Sequence, residues 1–285
     1  MPSKQKTIAC AIGIEGIGLH SGEKVKIKVK PADIDTGIVF KRTDLEGSPT
    51  MRASYENVKG TFLCTTLKSK FKIVTLEHLM SALAGLGIDN IIVESNSDEM
   101  PIMDGSARAF VFILQSAGIV EQNKNKNYLK IKKEVVVEVD GAYIKIAPYN
   151  GFKINFQLEY QHPAFHESIM QYSIDLNKSC FSSDIAPART YGFYPDFAML
   201  KTKNLIRGGS LSNAIVFDEQ SLLNADGLRF ENECVRHKIL DVIGDFYLLG
   251  YPMLAELTCF KSGHTLNNLA VRKIMSESIC YDLVE

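Results

Sequence analysis

Lys24-Val25-Lys26-Ile27-Lys28-Val29-Lys30 alternates charged and apolar positions without a break and is closed by Pro31. That is the pattern of a strand with one face in a core and the other in water. A second apolar run covers residues 36–42. Leu76, Leu79, Met80 and Leu83 then recur at helical spacing. They predict a helix with Thr75 as N-cap, Glu77 in the first turn where the helix dipole favours a carboxylate, and Gly85 and Gly87 at its end. Residues 91–94 read as a strand, Asp104-Gly105-Ser106 as a turn with a capping serine, and 107–117 as a second helix ended by Gly118.

The pattern lapses over residues 121–128, Glu-Gln-Asn-Lys-Asn-Lys-Asn-Tyr, a polar and turn-prone stretch. It then restarts with strands at 129–139, 142–147 and 152–160, a helix at 232–249, a strand at 254–260 and a final helix from about 266. Each half thus runs strands, helix, strand, helix, which argues for α+β layers in two domains of like architecture. The expected division is a first domain over 1–123, a linker over 124–128 and a second domain over 129–285. Residues 161–217 interrupt the second half as an insertion of a size that more often carries binding surface than decoration.

Candidate chemistry sits on the two predicted helices. At about 100° per residue, His237, Asp241 and Asp245 fall in one narrow stripe, each about 40° from the last. The stripe lies beside the apolar face of Val235, Ile239, Val242, Ile243 and Phe246. Glu77-His78 lies off the face of Leu76, Leu79 and Leu83. If the segments meet, two imidazoles and a carboxylate can hold a divalent metal and leave a position open, as hydrolytic metalloenzymes do. Alone, the stripe is a weak signal and reads first as a solvated face with an ordinary i,i+4 pair, and Glu77-His78 is not an HExxH motif. His264, after Phe260-Lys261-Ser262-Gly263, suits proton transfer from a loop, or is a surface turn histidine. The glycines of Glu15-Gly16-Ile17-Gly18-Leu19-His20-Ser21-Gly22 lack a GK[ST] ending and precede a strand, so they read as a turn and not a phosphate loop.

Composition narrows the classes. The 32 basic and 33 acidic residues nearly cancel, so no global field draws the chain to nucleic acid. No run approaches the ~18 apolar residues of a membrane span, and no signal peptide is evident, so cytoplasmic residence is expected. Cys10, Cys64, Cys180, Cys234, Cys259 and Cys280 are scattered with no CxxC pair and are expected as reduced thiols.

Five segments, TLEHLMSALAGLGIDN, PIMDGSA, ARTYGF, DGLRFENECVRHKILDVIGD and FKSGHTLNN, occur in this order between about residues 12 and 268. Together they closely resemble the UDP-3-O-acyl-N-acetylglucosamine deacetylase family, which carries out the committed deacetylation of lipid A synthesis. The resemblance implies two similar two-layer α/β sandwich domains packed with their helices facing, each with a small insert and the active site between them. It implies His78, His237 and Asp241 as metal ligands, with zinc the usual ion and ferrous iron the alternative. Glu77 matches the general base, His264 the protonated acid, Asp245 its supporting carboxylate, Thr190 the oxyanion donor and Lys238 a nearby cation. Tyr160, preceded by Glu159, matches the residue set against the uracil; Lys261 and His20 would sit near the sugar or diphosphate. The insert at about 193–216, with Phe193, Ile206, Ser210, Asn213 and Val216, resembles the acyl-chain passage, and Cys64 matches a cysteine near the metal. The implied partner is the UDP-linked acylated sugar, met by a monomer at most peripheral to a membrane. A binding protein with a structural zinc, and an amidohydrolase for another acylated sugar, are the competing readings; the first requires a fourth protein ligand.

Overall fold

The computed structural model describes residues 3–166 and 169–285; Met1, Pro2, Glu167 and Ser168, which fall in the expected first domain and in the 161–217 insertion, lie outside the described residues. The lysine-rich alternation forms the strand Lys24–Pro31, with Val25, Ile27 and Val29 buried and the lysines between them outward. It sits second in a five-stranded mixed sheet ordered Ile12–Ile17, Lys24–Pro31, Ile91–Ser95, Ile38–Arg42, Thr50–Arg52. Burying each aliphatic side chain is worth about 1.5–3 kcal/mol, which fixes the register, because a one-residue slip would turn lysines inward. A seven-stranded sheet serves the second half, and its spine is Met253–Phe260, flanked by Ala142–Pro148 and Phe152–Gln157.

Six α-helices lie among the described residues: α1 Glu77–Leu86, α2 Arg108–Ser116, α3 Phe181–Asp184, α4 Tyr194–Thr202, α5 Glu233–Tyr247 and α6 His264–Ser276. α1 packs on the first sheet's core and directly against α5, which with α6 covers the second sheet. The helical layers of the two halves therefore face each other, an α+β arrangement of sheets and helices as the pattern predicted. The three-stranded sheet Val58–Gly60, Thr66–Lys68, Lys72–Val74 projects from the first half. The parallel pair Tyr191–Phe193 and Ile215–Phe217, with α4 between them in sequence, projects from the second.

Four local expectations are corrected. Thr75 does not cap α1: its backbone is left-handed (φ 58°), Leu76 holds the cap position, and no side chain caps it. Gly87, left-handed at φ 67°, ends α1, whereas Gly85 lies inside the helix with Phe181 against it. The first five residues of the polar stretch 121–128 belong to strand Ile119–Asn125, paired antiparallel with Lys4–Ile8, so of the linker expected over 124–128 only residues 126 and 127 lie between it and Tyr128–Ile131. The expected strand 129–139 breaks at Lys132-Lys133-Glu134 into Tyr128–Ile131 and Val135–Val139, and the last helix starts at His264.

Candidate metal centre

α1 and α5 cross where α5 carries Gly244. A Cβ there would lie 2.2 Å from the Glu77 carbonyl oxygen and 3.1 Å from the Ser81 nitrogen, so only glycine lets the helices approach this closely. That approach brings Glu77 and His78, in the first turn of α1, onto the His237–Asp241 face of α5.

His78, His237 and Asp241 converge so that one ligand atom of each lies within 4.8 Å of the others, the one such group among the described residues. Asp241 Oδ1 is 3.5 Å from His237 Nε2 and 4.0 Å from His78 Nε2, and the two rings stand edge to face, 5.0 Å apart. Hydrogen bonds on their far sides aim these groups inward. His237 Nδ1 donates to the Ala188 carbonyl at 3.0 Å, leaving Nε2 with its lone pair on the cluster. Lys238 Nζ donates to Asp241 Oδ2 at 2.8 Å. Burial, then repulsion from His237, lowers the His78 pKa to about 3; burial likewise lowers that of His237. Burial opposes ionisation of Asp241, but Lys238 and the surrounding histidines outweigh it and hold the carboxyl well below its usual range. Two neutral imidazoles and one carboxylate are a divalent-metal donor set. Asp241 Oδ1 is buried without a hydrogen-bond partner, a costly state for a protein oxygen unless a cation meets it. The residues fit a metal, and with no fourth side chain in the group the structural-zinc reading loses its requirement.

The third member of the predicted stripe, Asp245, turns to other work. Its Oδ2 accepts from His264 Nδ1 at 2.8 Å and from Asn267 Nδ2 at 2.8 Å; its Oδ1 accepts from Thr65 Oγ1 at 2.5 Å. His264 opens α6, where burial and the helix dipole both oppose a positive charge. The carboxylates of Asp245, Glu77 and Asp241 overcome that opposition and raise its pKa to about 10. Its Nε2 points at Glu77 Oε1, 3.7 Å away. Glu77 Oε2 accepts from the Thr65 backbone nitrogen at 3.2 Å, and burial raises the Glu77 pKa to about 7, with His264 pulling against it. Thr65 thus touches the Glu77 carboxylate of one half and the His264–Asp245 pair of the other. Neither Thr65 nor Asn267 is singled out in the sequence: Thr65 carries no periodic or motif signal, and Asn267 lies in the FKSGHTLNN segment without a role assigned to it.

A cavity of about 420 Å³ opens over this cluster, walled by Glu77, His78, Thr190, Lys238, Lys261 and His264 among others. Thr190 is held there through its backbone, donating to Gly105 O at 2.7 Å and accepting from the Ile215 nitrogen at 2.8 Å. A second cavity of about 320 Å³ shares Leu19, Leu63, Thr190, Tyr191 and Lys238 with the first. Tyr160, His20, Phe193, Ile206, Ser210 and Val216 all line this second cavity. Tyr160 is ringed by Phe165, Phe193 and Tyr191 at 5.0–6.1 Å, and its hydroxyl is committed to that of Tyr191. Glu159 lines neither cavity and is ion-paired with Lys261. Cys64 is buried outside both walls, its thiol pushed up to about 12 by burial and by Glu77. Asn213, expected in the passage, is instead spent on its own loop, accepting from the Ser210 nitrogen and donating to Gly208 O.

A family model described as UDP-3-O-acyl N-acetylglycosamine deacetylase matches residues 5–276. Three curated relatives carry the name UDP-3-O-acyl-N-acetylglucosamine deacetylase. That of Legionella pneumophila (strain Corby) is 50% identical over 273 residues, covering 95% of this chain and 90% of the relative. That of Teredinibacter turnerae is 48% identical over 282 residues, 99% and 93% of the two chains. That of Thioalkalivibrio sulfidiphilus is 46% identical over the same length and coverage.

Proposed function

The chain belongs to the UDP-3-O-acyl N-acetylglycosamine deacetylase family, and from that premise we propose that it removes the N-acetyl group of a UDP-linked, 3-O-acylated N-acetylglucosamine by zinc-dependent hydrolysis. The observation that carries the reading is the meeting of His78 with His237 and Asp241 around an orphaned carboxylate oxygen. These three residues would hold the ion, and zinc suits the set, with ferrous iron the alternative. When bound, it would supply Lewis-acid polarisation and acidify water at the site.

An amide resists hydrolysis because its carbonyl is a poor electrophile and its nitrogen a poor leaving group. Glu77 answers the first difficulty by accepting a proton from the attacking water; a pKa raised to about 7 by burial suits a general base working near neutrality. The water oxygen bonds to the acetyl carbon, and the carbonyl electrons move onto oxygen. The Thr190 hydroxyl, on the wall of the same cavity, donates to that oxyanion, a contact typically worth about 3 kcal/mol. His264 answers the second difficulty. Held as imidazolium by Asp245, it gives its Nε2 proton to the sugar nitrogen as the carbon–nitrogen bond breaks, releasing acetate and a free amine. Lys238 keeps Asp241 ionised and adds positive charge to the cavity wall. Lys261, Glu159, His20 and Tyr160 are assigned to the nucleotide-sugar, and the second cavity, with Phe193, Ile206, Ser210 and Val216, to the acyl chain. A first domain to about residue 123 and a second from 129 would each bring one half of the centre.

Turnover followed by mass spectrometry on a panel of acylated UDP-sugars tests the reading. Chelation should abolish acetate release and added zinc restore it, and His78→Ala should neither retain metal nor turn over. Normal turnover by His78→Ala would overturn the proposal.

A further inference from the structure

The two insertions that frame the second cavity have a charge the remainder of the chain does not share. Residues 58–74 contain Lys59, Lys68, Lys70 and Lys72 and no acid; residues 193–217 contain Lys201, Lys203 and Arg207 against Asp196 alone. Seven basic residues less one acidic give +6 in a chain of formal charge −1, so the remainder carries −7. Lys68, Lys70, Lys201, Lys203 and Arg207 are exposed and have no carboxylate partner among the described residues, whereas Lys72 pairs with Asp98.

Apolar side chains are exposed on the same insertions. Phe62, Leu63, Tyr194, Met199 and Leu211 are 45–61% exposed. They adjoin the cavity: Leu63 lines it, Tyr194 packs on Phe197 of its wall, and Met199 and Leu211 neighbour Leu200 and Ser210 of the same wall in sequence. Lys203 lies 5.3 Å from the Phe62 ring, which ties the two insertions together at this rim. Exposed rings and aliphatic groups rimmed by unpaired cations match an interface whose outer layer is anionic and whose inner layer is hydrocarbon.

We infer that this rim docks the protein on the surface of an anionic phospholipid bilayer, with the mouth of the second cavity turned toward the lipid. The purpose assigned to it rests on the proposed acylated substrate, which is amphiphilic and would pass between bilayer and cavity without crossing water. The insertion of apolar tips supplies area, and the cations supply the preference for anionic headgroups.

The test is co-sedimentation of the full-length, zinc-loaded protein with vesicles of phosphatidylethanolamine and phosphatidylglycerol (3:1), against pure phosphatidylcholine. The expected result is binding to the first and not the second, released by 0.5 M salt. Lys70→Glu with Lys203→Glu should weaken it at least ~25-fold, at about fivefold per cation. Phe62→Ser with Tyr194→Ser should weaken it while leaving the salt dependence. Both pairs should keep the wild-type melting temperature and full turnover of a short-chain substrate free in solution. Failure of the wild type to bind either vesicle overturns the inference and leaves the rim to a protein partner. Equal binding to both vesicles, or binding unchanged in both variants, overturns it as well. Vesicle binding without deacetylase turnover would instead refute the proposed function and spare the surface.

Discussion

The helices that carry the candidate metal centre and the insertions that wall the cavities are held by different means. α1 and α5 are regular, buried on nearly every residue at the crossing, and cross-linked by polar contacts of 2.5–3.2 Å through Thr65, Asp245 and Glu77. The walls depend on local backbone: Leu63, Asn204, Ile206 and Lys261 all sit in the left-handed region, at φ 52–62°. Their side chains face a cavity or solvent. Groups assigned to proton transfer are thus placed by tertiary packing, where an error of about 1 Å costs ~100-fold. Groups assigned to the substrate are placed by turns that can be re-shaped cheaply.

The largest effect expected from breaking that contrast is at Glu77. Glu77→Gln should retain metal, measured by elemental analysis, and lower kcat by ~10²–10⁴. In the unsubstituted protein kcat/KM should rise with pH as Glu77 loses its proton, through about 7 or lower once a cation sits beside it, and fall as His264 loses its proton near 10. The glutamine variant should lose the acid limb and keep the basic one. An unchanged acid limb would remove Glu77 from the base role.

Gly244→Ala comes next, because it acts on both helices at once. The added methyl meets backbone that cannot swing aside, 2.2 Å from the Glu77 carbonyl. Overpacking of this kind costs about 1–3 kcal/mol, and the yielding of α1 should separate His78 from Asp241. Metal affinity and kcat should fall ~100-fold together. Alanine at Gly13, which like Gly244 is not left-handed and where a Cβ would meet only the Ile27 carbonyl at an ordinary 3.6 Å, is the control for loss of a glycine alone. Equal losses at both sites would mean that close approach is not what Gly244 provides.

Thr65→Val should cost ~10–100-fold in kcat with metal content unchanged, because it leaves Asp245 Oδ1 buried without its donor and frees the His264–Asp245 pair to reorient. Thr65→Ser should restore most of the rate. Equal losses in both variants would point to the methyl group's packing instead of the hydroxyl.

How much of this was legible follows the same division. The His237–Asp241–Asp245 spacing could be read because a helix repeats its faces, and the Lys24–Lys30 alternation because a sheet does. The partnership of His78 with that stripe could be raised from the donor types only as a condition, and became an assignment with the family resemblance, since no local pattern encodes a contact across 159 residues. Thr65 lies 180 residues from Asp245 and sits in an irregular loop, so nothing near it in sequence announces the bond. The failed cap at Thr75 has a physical reason: its left-handed backbone is set by tertiary contacts that turn its hydroxyl toward Glu99, and propensity cannot see them. The strand over the first part of the polar stretch 121–128 was not legible because its partner Lys4–Ile8 lies at the far end of the half, and the edge strand Tyr281–Val284 was missed because it lacks a clear alternation.

Ile206 offers the smallest effect and the sharpest contrast. A β-branched residue at φ 52° is strained by about 1–2 kcal/mol, yet its side chain lines the second cavity. Ile206→Gly relieves that strain but enlarges the entropy of the unfolded chain, which takes back about 0.5–1 kcal/mol. The net stability change should be within about 1 kcal/mol and favourable, read as a small rise in melting temperature. Because no reacting group touches Ile206, kcat should hold while KM for long-chain substrates shifts with the widened wall. A variant that loses kcat as Gly244→Ala does would show the insertion bearing on the crossing, and the division between packed chemistry and adjustable walls would fall.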